Sequence, residues 1–285
     1  MALSWSVVGA VLFAALLHAS WNALVKSSED KSLDTALIHL IGSFISIPLL
    51  AWVGLPPQAA WPFIGASLLI HVAYYITLTA AYHHGDLGLT YPVMRGLGPI
   101  FVALFSSLTL GEPLSGLAWF GVLTVCVGVL LLGLSPRSLQ QPKAIRFALA
   151  NAIVIACYTL VDALGVRTTV DAGGSAVQYV AMLFAFDGWA FAMFVLHRRG
   201  VSVAWSYARA RLALASCGAL ASLSAYGIAL WAMTQAPVAV IAALRETSVL
   251  FAALLGTWFL TEALSMRRVL ATLMILMGVS ALRLA

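Results

Sequence analysis

Apolar residues run through this chain in long blocks, and polar residues are confined to short gaps between them. Ten blocks of about 20 residues stand out, at 5–25, 33–53, 62–83, 87–110, 115–134, 144–166, 176–197, 211–234, 238–260 and 266–284. Blocks of that length predict membrane-spanning helices, because a helix rising 1.5 Å per residue needs about 20 residues to cross the hydrocarbon. Alternating strands of about 10 residues, the mark of an outer-membrane barrel, are not the pattern here. Breakers separate the blocks: Leu55-Pro56-Pro57, Gly85-Asp86, Gly111-Glu112-Pro113 and Gly173-Gly174. The longest predicted links are Ser135–Lys143 and Arg198–Ala210.

The blocks are written twice. Residues 95–134 moved forward by 150 fall on 245–284, with 13 identities in 40 positions, among them Arg95 on Arg245, Glu112 on Glu262 and Gly128 on Gly278. The early part of each copy aligns better at a shift near 137, which places about 13 extra residues in the second copy, within the Arg198–Ala210 link. The predicted organisation is a first repeat at 1–134, a linker at 135–143 and a second repeat at 144–285. Five helices per copy is odd, so the copies insert with opposite orientation. The fold class is therefore an all-α membrane protein of ten transmembrane helices in two inverted five-helix repeats, an architecture that places a binding site near the midplane.

Composition supports the membrane reading: 62% of residues are hydrophobic and 9% charged, against roughly 25% charged in soluble domains. The mean hydropathy is +1.01 and the pI about 9.3. The excess of Lys and Arg does not indicate nucleic acid, because it sits in membrane-flanking loops. Eleven of the 15 lie in odd-numbered loops, and only Arg167 and Arg283 lie in even-numbered loops or tails. The positive-inside rule then puts both termini outside the cytoplasm. Cys126, Cys157 and Cys217 lie inside apolar runs and read as small core residues. HExxH, GxSxG, Walker A and His/Cys ligand patterns are lacking, so no enzyme, cofactor or metal is expected; His83-His84-Gly-Asp86 is the nearest thing to a metal patch. Uphill work would come from an ion gradient or from exchange.

The segment Arg95–Leu134, with Leu110-Gly-Glu-Pro113 after a Pro-containing helix, resembles the EamA-type transporters of the drug/metabolite (DMT) superfamily. So do Arg245–Leu284, with Leu260-Thr-Glu262, and the opening His18-Ala-Ser-Trp-Asn-Ala-Leu-Val-Lys26. The resemblance spans the whole chain and departs at Thr261, where the family pattern has Gly. It implies an exporter or exchanger of small solutes such as amino acids, metabolites, nucleotide sugars or drugs, in the cell inner membrane. The tyrosines of the third helix resemble those of aromatic amino-acid exporters.

Ionisable residues inside spanning segments are functional candidates by default. Arg95 and Arg245 each sit about four residues before the middle of their helices, ~6 Å from the midplane. A guanidinium fork suits a carboxylate or phosphonate, so these two are candidates for an anionic substrate group; the bland alternative is an Arg bonded to carbonyls or to Glu246. Asp187, at the centre of helix seven, and Glu246 are candidates for ion coupling with protons, the alternative being salt bridges to Arg. His71, Tyr74 and Tyr75 share one face at i, i+3, i+4 and, with Tyr91, Tyr226 and Trp231, form a candidate aromatic pocket; ordinary helix packing is the alternative. His18, Trp21 and Asn22, with Tyr158 and Asp162 at the corresponding region of helix six, are either helix contacts or pocket lining. Glu112 and Glu262 read as structural, bonding loop backbone, and Pro92 and Pro99 as kinks that let helix four bend.

The reading that results is a secondary transporter of a zwitterionic or anionic small molecule working by alternating access, embedded in lipid, with no nucleic-acid partner. A monomer suffices and a dimer is compatible. The alternatives are an exporter of cationic or aromatic drug-like compounds using the acidic and tyrosine residues, a passive channel or sensor, and a membrane-embedded lipid-handling enzyme. A cysteine introduced as Ala2→Cys should react with an impermeant maleimide in intact cells; labelling only after permeabilisation would reverse the orientation.

Overall fold

In the computed structural model, residues 3–85, 87–133, 140–260 and 265–285 are described. The helices are α1 (Trp5–Lys26), α2 (Lys31–Val53), α3 (Trp61–His84), α4 (Leu87–Thr109), α5 (Gly116–Gly133), α6 (Pro142–Asp171), α7 (Ala176–Arg199), α8 (Val201–Met233), α9 (Val238–Arg245), α10 (Ser248–Leu260) and α11 (Met266–Leu284). Among the described residues, α1, α2, α3, α4, α6, α7 and α8 are long and apolar enough to cross a membrane by themselves. Helices α9 and α10 divide the expected ninth span between them. Asp86, Thr261 and Glu262 lie outside the described residues.

Local sequence sets the helix starts. Ser4 accepts from Val7 N at 3.3 Å, Asp30 Oδ1 from Ser32 N and Leu33 N at 3.1 Å each, and Ser265 from Arg268 N at 3.3 Å. Each of these bonds satisfies a donor that the first helical turn leaves open. Ser175 and Gln178 close a reciprocal capping box on α7. Gln178 also reaches across to the C-terminus of α2, donating to Val53 O at 2.9 Å.

Two expectations change. The 198–210 link is helical: only Gly200, at φ 83°, separates α7 from α8. At 33 residues, α8 spans ~50 Å, well beyond the ~30 Å hydrocarbon. Its first turns, carrying Arg209 and Arg211, therefore project on the basic side. In the other change, the ninth span breaks at Glu246–Thr247, while its repeat mate α4 stays helical through Pro92 and Pro99. At the break the ladder tightens to i→i−3 bonds, Glu246 N to Ala243 O, Thr247 N to Leu244 O, Val249 N to Glu246 O and Leu250 N to Thr247 O. The Thr247 hydroxyl bonds back to Leu244 O at 2.8 Å.

Helices pair across the halves in a two-fold manner: α3 on α6, α1 on α8, α2 on α7 and α5 on α11. Small residues let the paired backbones approach, as membrane packing requires. A Cβ on Gly128 would lie 2.7 Å from Ile275 Cγ1, and one on Gly278 would lie 2.7 Å from Val125 Cγ2 and 2.8 Å from Gly121 O. The two clashes mirror each other across the α5–α11 seam. At the α2–α7 crossing, Gly188 abuts the His39 carbonyl, and the Ser43 hydroxyl donates to Phe184 O at 2.7 Å. The outer surface is apolar, with Phe13, Leu108 and Leu273 exposed. Cys217 also faces outward, whereas Cys126 is buried and Cys157 half-buried.

Gly128→Leu and Gly278→Leu should each lower stability by about 1–3 kcal/mol through overpacking. Gly65→Leu, where nothing lies within 4 Å of the added Cβ, should change it little. Thermal unfolding of the purified variants in detergent reads the difference.

Candidate functional site

The ion pair between α4 and the α9–α10 break forms the centre of the molecule. Arg95 Nε lies 2.9 Å from Glu246 Oε2, and the two side chains are 11% and 6% exposed. The N–H is not aimed along this contact, so it is an ion pair and not a well-aligned hydrogen bond. Arg95 Nη2 and Trp21 Nε1 are buried without a hydrogen-bond partner among the described residues.

Arg245 ends α9 one residue earlier and behaves differently. Its guanidinium carbon sits 5.4 Å from the centroid of the Tyr226 ring, a cation–π distance. Among the described residues, no carboxylate lies within ion-pair reach of it. The Tyr226 hydroxyl donates to Asp162 Oδ2, and Tyr179 donates to Asp162 Oδ1 at 2.8 Å. Tyr179 reaches that position because Gly165, one turn beyond Asp162 on α6, leaves room for its ring. A cation, a ring, a hydroxyl and a buried carboxylate thus connect α9, α8, α6 and α7. Arg95, Pro99, Tyr158, Arg245 and Glu246 line a narrow cavity of about 10 Å³, room for roughly one water molecule.

A second cluster lies at the α2–α7 crossing. Asp187 Oδ2 is 3.5 Å from His39 Nδ1, and Oδ1 is 3.2 Å from His71 Nδ1. The partners of Asp187 are histidines, not the arginine that the salt-bridge alternative supposed. Aromatic rings link the two clusters: His71 lies 4.7 Å from Tyr158, Tyr74 6.0 Å from Tyr158, and Tyr75 stacks on Phe191 at 4.7 Å.

Ionic clasps join the halves at both ends. Arg167 Nη1 meets Glu112 Oε1 at 2.7 Å while its other nitrogens donate to Met233 O at 2.8 Å and Ala236 O at 3.1 Å. The second Glu112 oxygen accepts from Val238 N, the first residue of α9, at 3.0 Å. At the opposite end Arg211 pairs with Asp34 at 2.9 Å, Tyr207 donates to Asp34 at 3.1 Å, and Arg199 pairs with Asp30 at 2.9 Å.

The expected site residues divide accordingly. Arg95, Arg245, Glu246, Tyr226 and Tyr158 meet at the centre, and Tyr91 sits one turn before Arg95 on α4. His71, Tyr74, Tyr75 and Asp187 gather at the second cluster, and His18 and Trp21 pack edge-to-face beside His39. Asn22 and Trp231 stand apart from these two groups. Asn22 donates from Nδ2 to His18 O in its own helix at 2.8 Å. Trp231 is 38% exposed near the end of α8 and joins neither cluster. His39 and Tyr179 lie outside the expected set. The sequence signal for His39 is that of any ionisable group in an apolar run. Among the described residues, no group of three or more His, Cys, Asp or Glu is arranged to hold a metal ion.

With this geometry, Glu246→Gln should destabilise the fold by about 3 kcal/mol, because it leaves the buried Arg95 charge without its counter-ion. Adding Arg95→Met should recover most of that loss. Thermal unfolding of the two single variants and the double variant checks it; additive losses would show that the pair is not coupled.

Comparison with known proteins places the whole chain. Residues 5–134 and 142–284 both match the model described as the EamA-like transporter family. A solved structure titled only "Crystal structure of protein" superposes with a TM-score of 0.72 at 20% sequence identity, covering 97% of this chain and 97% of that one. At that identity the likeness concerns the fold alone.

Proposed function

Because the chain belongs to the EamA-like transporter family, we propose that this DMT-type membrane transporter is a secondary carrier of a small zwitterionic or anionic solute, such as an amino acid. One observation carries the choice of solute. Glu246 neutralises Arg95, whereas Arg245 has a ring beneath it and no carboxylate among the described residues. A cation held in this way near the membrane centre attracts an anionic group strongly, because little water screens it. Glu246 and Asp162, close by, offer carboxylates to an ammonium group on the same solute.

Transport follows if the repeats, 1–134 and 144–285, rock about the α2–α7 and α4–α9 contacts. The i→i−3 turn at Glu246–Thr247 is the flexible point, since tightened segments inside helices often serve as hinges. Opening toward one side breaks the Glu112–Arg167 clasp, and opening toward the other breaks the Asp34–Arg211 and Asp30–Arg199 pairs. Asp187, set between two imidazoles, is the candidate group for proton coupling. The cavity is closed and small in this conformation, so solute entry requires one clasp to part. Export across the cell inner membrane is the direction the family resemblance favours.

Thermal stability of the purified protein should rise with amino acids or organic anions, by about 2.7 kcal/mol at 100-fold Kd for a ligand specific to the folded state. Arg245→Ala should abolish the rise, and Arg245→Lys should weaken it, because a point charge replaces a planar fork. Stabilisation by lipophilic cations alone would overturn the reading.

A further inference from the structure

The seam between α3 and α7 holds a second pocket, of about 170 Å³. A single water needs about 10–15 Å³ of such space, so this pocket accepts several heavy atoms where the central cavity accepts about one. Its rim is formed by Leu69, Val72 and Phe186, which are 75%, 42% and 55% exposed and therefore face hydrocarbon. Asp187 and His71 also line it and are far less exposed, at 10% and 14%. An opening from lipid thus ends on a nearly buried carboxylate. The repeat-related seam, α2 against α8, is closed: a Cβ added to Gly218 would sit 2.9 Å from Ile38 Cδ1. At that point the repeat-related helices leave no room for an added methyl group, unlike the wall between Leu69 and Phe186.

Charge selects the occupant. Asp187 is the one carboxylate lining this pocket, and neither of its close partners carries a permanent positive charge. The His71 Nδ1 beside it is buried without an aligned hydrogen bond among the described residues. The Tyr75 ring, stacked on Phe191 at 4.7 Å, lines the same space and adds apolar wall beside the carboxylate. Apolar walls leading inward to a carboxylate match one chemistry, a cationic head on an apolar tail.

We propose that the α3–α7 pocket is a second binding site, entered from the bilayer, for an amphipathic cation. The ammonium head rests against Asp187 between His39 and His71, and the tail lies along Leu69, Val72 and Phe186. This site differs in ligand class and in helices from the central one, where Arg245 on α9 attracts an anionic group.

The test uses the full chain in lipid nanodiscs and three amphiphiles with the same tail: dodecyltrimethylammonium, dodecyl sulfate and dodecyl maltoside. The expected result is a rise in melting temperature with the ammonium compound only. Asp187→Asn should weaken its apparent affinity at least ten-fold. Val72→Trp, a change at a lipid-facing position, should block the pocket and give the same loss in a folded protein. Arg245→Ala should leave ammonium binding intact while removing the response to amino acids, so the two sites fail independently. An equal response to all three heads would overturn the proposal, as would ammonium binding at full strength in Asp187→Asn. Should Asp187→Asn not fold, undiminished binding in Val72→Trp has the same consequence.

Discussion

In hydrocarbon there is no water to complete a polar group's bonding, so each charge inside these helices must be answered by another helix. That constraint organises the centre of the molecule. Arg95 and Glu246 come from opposite repeats. Asp187, from the second repeat, is held by His39 and His71 from the first. Glu112 and Arg167 do the same at one end, and Asp34 and Arg211 at the other. Cross-repeat pairing of this kind binds the halves more specifically than apolar contact can, because lipid tails compete equally well for apolar surface.

The same pairs make the halves separable. An ion pair at a helix end lies near water, and when it opens each partner is solvated at modest cost. The pairs near the middle have no such alternative and stay closed. In the proposed alternating access, the end pairs part in turn about a central pair that stays closed. Gly188 against the His39 carbonyl, and the Gly128–Gly278 seam, keep the paired backbones close enough for small rotations to be transmitted without opening voids.

Much of this was legible in the sequence, for physical reasons. Helix number follows from apolar run length, and the repeat from the matching positions of Arg95 and Arg245 or Gly128 and Gly278. What could not be read was the choice of partner. Arg95 and Arg245 are equivalent in one dimension, yet Gly96 follows one and Glu246 the other. Only the fold shows that Glu246 turns to the opposite repeat and leaves its own neighbour on the Tyr226 ring. The break in the ninth span could not be read for a related reason: α4 stays helical through Pro92 and Pro99, while Glu246-Thr247 breaks a helix without any proline. The 198–210 segment carries enough basic residues to look like a loop, and α8 simply continues past the membrane through it.

The asymmetry between the repeats is the last consequence. Two identical halves would place identical groups on both sides of the axis and would give each conformation the same energy and the same site. This chain keeps the backbone symmetry, with like helices paired, and breaks it in side chains. The second repeat supplies Asp162, Asp187 and Glu246, and the first supplies His39 and His71 to meet Asp187 and Arg95 to meet Glu246. At the two inner clusters the acids Asp187 and Glu246 thus come from the second half, whereas at the ends Glu112, Asp30 and Asp34 of the first half meet Arg167, Arg199 and Arg211 of the second. In the proposed rocking motion, charge moves relative to charge, which is what a solute or a proton would need to bias it: a ligand shifts an equilibrium only through contacts that differ between its states. The symmetric backbone makes two states possible, and the unequal side chains make them distinguishable.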